Sequence, residues 1–216
     1  MSLARLLQLA SPALPVGAYS YSQGLEAAIE AGIVRDAASA ESWICDVLEL
    51  SLSRFELPLL CRLIEKWQAG DSESIARLNS VYLASRESAE LRAETVQMGH
   101  SLQVLATELG LQSSGVEEIA YPTAYASAAV QWKLDRKEAL TAYLWAWLEN
   151  QVMAAVKAVP LGQTAGQRIL MVLGETLEGI ADRAASLTED QWCNFAPGLA
   201  FLSARHETQY SRLFRS

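Results

Sequence analysis

Side chains able to carry out chemistry are few and scattered in this chain. Its 216 residues hold two histidines, His100 and His206, and three cysteines, Cys45, Cys61 and Cys193. Transition-metal sites need several imidazole, thiolate or carboxylate ligands together, and such ligands commonly recur at short spacing, as in CxxC, HxxxH or HExxH. The sequence has none of these patterns, so it predicts no autonomous zinc or nickel site. The cysteines are odd in number and far apart, which outlines no disulfide framework and fits a reducing compartment. Cys45 and Cys61 read as small hydrophobes.

Carboxylates are plentiful but unfocused. Glu87, Glu90 and Glu94 alternate with Arg86 and Arg92 in "SRESAELRAETVQMGHS", the pattern of a solvated helix face with intrahelical ion pairs. "PLGQTAGQR" (160–168) lacks the lysine and the preceding strand of a phosphate-binding loop. "VGAYSYSQG" has no GxSxG and no strand leading into it, which excludes a nucleophile elbow. Glu149, Gln151 and Lys157 lie on or beside an apolar helix. Brought together in a pocket they would make a small helical enzyme; apart, Lys157 is structural or meets a partner, since no base is placed to activate it. The ending "SARHETQYSRLFRS" is locally basic through Arg205, Arg212 and Arg215, with Tyr210, Leu213 and Phe214 as apolar anchors. Such a segment is either a frayed tail or a docking element, because arginine and aromatic side chains dominate interface energetics.

The elements that must position these residues are helical. Hydrophobic residues make up 51% and charged residues 19%, which excludes extensive disorder and suits one large domain. The net charge of -8, without a concentrated basic face, excludes general nucleic-acid binding. No apolar run approaches the ~20 residues of a membrane span, and the start of the chain lacks a charged leader, so the expectation is a cytoplasmic protein with no membrane partner. Apolar residues recur at helical spacing, with Leu3, Leu6 and Leu7 in a first helix that Pro12 and Pro15 end. Gly17 offers positive φ, and Ser20 with Gln23 has capping-box spacing before the next helix. Pro58 either starts a helix or kinks one. The segment 74–109 reads as helix crossing the surface, with Gly99 as a possible break. Further helices are expected over 123–134, 137–159 and 163–185, and from Pro197. No segment alternates with period two. The prediction is an all-α, single-domain helical bundle with short loops. Tyr19 and Tyr21 exceed what a loop needs, and locally they read as anchors to the core.

Four stretches, "LLQLASPALPVGAYSYSQGLEAAIEAG", "ELPLLCRL", "ENQVMAAVKAVPLGQTAGQR" and "SARHETQYSRLFRS", resemble the urease accessory protein UreF family, nearly end to end and in order. The resemblance implies an all-α cytoplasmic protein that is not an enzyme. It also implies a homodimer within a complex with UreD (UreH in some organisms), the GTPase UreG and the urease apoprotein. There the protein bridges its partners, modulates GTP hydrolysis and helps insert nickel. Nickel and GTP are handled by the complex, with no cofactor, catalytic group or metal ligand assigned to this chain. A nickel-carrying metallochaperone, or an enzyme using Glu149 and Lys157, is the alternative. Pro15, Gly17 and Tyr19 match the family's first loop, in which Ala18 replaces a second glycine, while Gln23 stands where many relatives carry histidine. The implied partner-binding residues are Pro15, Gly17, Tyr19, Lys157, Gln163, Arg205, His206, Tyr210, Arg212, Leu213, Phe214 and Arg215. The implied organisation is a domain over 1–204 and a docking tail over 205–216.

Overall fold

Pro58 joins two helices instead of dividing them. In the computed structural model, which describes residues 2–216, α3 (Ala37–Val47) runs through a π-helical segment, Leu48–Glu56, straight into α4 (Leu57–Ala69). Proline has no N–H to donate and its ring crowds the carbonyl four residues back, here that of Arg54. The wider π turn relieves that clash. The freed Arg54 carbonyl accepts the Cys193 N–H at 3.0 Å. One consequence is that Glu56 turns into the core while Leu50 is exposed.

The remaining helices are α1 (Ser2–Ala10), α2 (Leu25–Glu30), α5 (Ser72–Ala84), α6 (Ala89–Glu108), α7 (Tyr121–Gln131), α8 (Arg136–Ala158), α9 (Gln163–Gly174), α10 (Leu177–Ser186) and α11 (Pro197–His206). No strand occurs among the described residues, so the all-α expectation holds. α8 is the central member and touches α1, α2, α3, α4, α9 and α10. α7, whose residues 122–129 are all buried, lies between α4 and α6. Its "PTAYASAA" sequence is small enough to be enclosed on every side. α11 lies on α2 and α6.

Several local expectations change. The stretch 74–109 breaks at Ser85–Ser88, where the Ser88 hydroxyl caps α6, and not at Gly99. α6 passes through Gly99 unbroken because it needs the missing side chain there: an added Cβ would stand 2.2 Å from the Ile119 carbonyl oxygen. α6 is not a plain surface crossing either, since Glu94, Thr95, Met98 and Gly99 are buried. The stretch 163–185 divides at Glu175–Thr176 into α9 and α10. In α1, Leu6 and Leu9 are buried while Leu3 and Leu7 face outward. Gly17 does take positive φ, but Ser20 and Gln23 form no capping box: α2 is entered through Gly24 at φ 80°, with Gln23 itself at φ 52°. Gln23 is used elsewhere.

Candidate functional site

Two adjoining features gather nearly all the buried charge. The first is a polar chamber among the π-helical segment, α5, α6, α8 and the first loop. The Glu56 carboxylate accepts hydrogen bonds from the Tyr82 hydroxyl, at 2.7 Å, and from Tyr143. Arg86 stands 3.6 Å from the same carboxylate and lies over the Tyr82 ring at 4.2 Å. Burial pushes both tyrosine hydroxyls well above their ordinary range, so they remain neutral donors. Beside them Glu94 accepts from Gln23 Nε2 and from the Ser216 hydroxyl, each at 2.6 Å. Gln23 Oε1 in turn accepts the Trp147 indole N–H at 2.6 Å. Burial drives the Glu94 carboxyl up to about 7 against those two hydrogen bonds. The space enclosed is about 60 Å³, room for a few waters.

The second feature is the clamped end of the chain. Glu26 accepts the Leu213 and Phe214 backbone N–H groups at 2.6 and 3.0 Å. The His206 ring lies between Glu26, at 3.2 Å, and Glu90, at 2.6 Å. Glu90 also pairs with Arg212. The Ser216 main-chain oxygen accepts from both the amide and the hydroxyl of Ser22, and Arg215 N–H donates to the Ser20 carbonyl at 2.8 Å. Phe214 is buried, with Lys157 Nζ 4.6 Å above its ring.

The segment 205–216 therefore packs as part of the bundle in this structure, and is no free arm. His206 and Phe214, expected as partner contacts, are internal. Tyr210 and Leu213 are exposed, as are Arg205, Arg212 and Arg215. Phe201 of α11 is exposed as well, with Arg205 5.9 Å from its ring, so α11 and the residues after it present exposed aromatic and arginine side chains on an acidic protein. Pro15 and Tyr19 are exposed and Gly17 is partly so, beside a groove formed with α1 and α8. Gln163 is exposed at the start of α9, away from the clamp in sequence and element.

Glu149, Gln151 and Lys157 are not brought together. Glu149 lines the α1–α8 groove, Gln151 is internal, and Lys157 covers Phe214. Eight residues of helix set Glu149 and Lys157 about 12 Å apart along the axis. Lys157 thus supports the clamp by a cation–π contact. Its replacement by alanine is expected to cost about 0.5–1 kcal/mol in urea unfolding, with Lys157→Arg restoring most of it. Among the described residues no group of three or more His, Cys, Asp or Glu side chains could hold a metal ion.

Glu26, Glu56, Glu94 and Gln23 were not legible as site residues. A signal existed for Glu56. Tyr82 and Tyr143 fall on apolar helix faces, and a buried tyrosine hydroxyl needs an acceptor. Glu87, Glu90 and Glu94 read as a solvated face, yet only Arg92 of that stretch pairs outward, with Glu118. Glu90 and Glu94 are covered by the end of the chain, more than a hundred residues later.

These features define a class, an all-α bundle whose concentrated polar chemistry fastens its own last residues beneath an exposed aromatic–arginine surface. Comparison with known proteins makes this specific. The UreF family model matches residues 34–174. The urease accessory protein UreF of Azoarcus sp. (strain BH72) is 57% identical over 225 residues, covering all of this chain and 96% of that protein. The protein of the same name from Dechloromonas aromatica (strain RCB) is 53% identical over 224 residues, covering all of this chain and 98% of its own. The chain belongs to the UreF family. No helix among the described residues is long and apolar enough to cross a membrane.

Proposed function

We propose that this chain is a non-catalytic accessory protein of urease maturation. It acts as a homodimer that bridges a UreD/UreH-type partner and the GTPase UreG, and it modulates GTP hydrolysis while the assembly delivers nickel to apo-urease. The relatives' shared name supports the urease connection. The observation that carries the docking reading is the aromatic–arginine surface of α11 and the following residues. Phe201, Tyr210 and Leu213 are exposed there, Arg205 lies 5.9 Å from the Phe201 ring, and the body beneath is acidic. Exposed aromatics and arginines are the side chains that serve as interface hot spots.

The test is co-purification with the UreD/UreH-type partner from the same source. Phe201→Ala combined with Tyr210→Ala is expected to lower retention at least tenfold, the loss of about one hot spot or more. Both rings project outward, so the melting temperature should stay within about 2 °C. Retention equal to that of the unsubstituted protein would refute this surface as the docking face.

A further inference from the structure

We propose that the α1–α8 groove, where it meets the polar chamber, is a binding site for an aliphatic primary ammonium group, the head of a small amine or of a lysine side chain. The shapes come first. Leu9, Leu14, Val16, Tyr19 and Met153 wall the groove, which encloses about 220 Å³. Its lining is mostly apolar and suits an alkyl stem, with Glu149 the one charged side chain among the described residues there. Ala18, Tyr121, Ala146 and Asn150 line both the groove and the chamber. Two of the four are alanines, so little side chain stands between the two spaces.

The junction holds hydrogen-bonding groups that the fold itself does not use. Asn150 spends its NH₂ on the Tyr21 carbonyl, at 3.1 Å, which leaves Oδ1 as an acceptor with no partner among the described residues. The Tyr121 hydroxyl has no partner among them either, although burial pushes it above its ordinary range. Enclosed polar groups of this kind call for a partner. An ammonium group brings three N–H donors and no acceptor.

Charge selects the sign of the ligand. From the chamber the junction is faced by Glu56 of the π-helical segment, Glu94 of α6 and Arg86 of the 85–88 connection, with Tyr82 of α5 and Tyr143 of α8. From the groove it is faced by Glu149 of α8. Tyr82 and Tyr143 donate to Glu56, and Gln23 and Ser216 donate to Glu94, so the geometry presents both as carboxylates. Arg86 is the one cation in this set and is already paired with Glu56. Glu94 and Glu149 are left without a counter-charge, and their field acts between low-dielectric walls. A cation at the junction supplies that counter-charge, whereas an anion is repelled.

The probe is n-pentylammonium, titrated into the full chain and followed by calorimetry and amide chemical shifts. The titration is run at pH 8, above the value of about 7 to which burial lifts Glu94. Saturable binding of one equivalent is expected, with Kd below about 1 mM, and with shifts at Ala18, Ala146 and Asn150. Pentanol, with the same stem and no charge, should bind at least about tenfold more weakly, and pentanoate not at all. Glu149→Gln should weaken pentylammonium at least about threefold and leave pentanol unchanged. Nα-acetyl-lysine methylamide separates the sources. Binding close to that of pentylammonium assigns the site to a protein's lysine side chain, and failure to bind beside a bound pentylammonium assigns it to free amines. Absence of saturation at about ten times the expected Kd overturns the site, as does equal affinity for pentanol, or shifts confined to other acidic parts of the surface. These arms use the unsubstituted protein, so they hold whether or not the variant folds. No partner enters the measurement, so its outcome is independent of the docking surface.

Discussion

Deleting Ser211–Ser216 is expected to lower the melting temperature by on the order of 10 °C. The reason is that these residues complete the core. Burial of an aromatic side chain such as Phe214 is worth about 3–5 kcal/mol by the cost of truncation to alanine. The deletion also strips Glu26 of the Leu213 and Phe214 amides and Glu94 of the Ser216 hydroxyl, and each buried acceptor left unpaired costs about 1–3 kcal/mol. For a chain of this size, each kcal/mol corresponds to about 2–4 °C. A circular-dichroism melt checks the deletion. Phe214→Ala alone should reproduce the larger part of the loss, and Phe214→Leu much less of it. An unchanged melting temperature in the deletion would mean that the clamp contributes nothing to the fold. The same reasoning makes truncation a poor probe of partner docking, because it removes core and surface together. Phe201→Ala with Tyr210→Ala separates the two.

Gly99→Ala is expected to destabilise the protein by about 3 kcal/mol or more, read by urea or thermal unfolding. In an exposed helix the same change gains up to about 1 kcal/mol, so even its sign depends on tertiary context. The new Cβ would stand 2.2 Å from the Ile119 carbonyl oxygen, 2.8 Å from the Ala120 carbonyl carbon and 2.9 Å from the Tyr121 nitrogen. All three are backbone atoms of a segment that cannot step aside cheaply. Asn79 holds the Glu118 carbonyl at 2.8 Å and the Ala120 N–H at 2.9 Å, and Thr95 holds the Tyr121 N–H at 3.0 Å. Gly179→Ala in α10 is the control. Its Cβ would meet only an Arg183 nitrogen at 3.8 Å, and a small gain in stability is expected. If Gly99→Ala is as stable as the parent protein, α6 does not approach the 119–121 segment this closely.

What the sequence by itself determined is local. Helical spacing puts Leu140, Leu144, Trp147 and Leu148 on the buried face of α8, Ile169, Leu170 and Leu173 on that of α9, and Leu177 and Ile180 on that of α10, because burial of a helix stripe depends on residues three and four apart. Asp71 capping α5, Gly70 closing α4 in the left-handed conformation, the Thr188–Gln191 capping box and the start of α11 at Pro197 all depend on nearest neighbours. The four family motifs also lie in the sequence, which is why family membership could be read before the fold. Only the tertiary structure decided what lies against Glu94, Glu26, Gly99 and Phe214. Glu94 has the spacing of a solvent-facing helix residue and becomes buried because Ser216 and Gln23 close over it. Gly99 looks like a helix breaker and is instead a crossing point with residues 119–121. Phe214 looks like an anchor for a partner and is an anchor for its own chain, under Lys157. The physical reason is common to all four. Periodicity and capping are set within one or two helical turns, whereas burial of a charge or a close backbone approach is set by residues tens to hundreds of positions away.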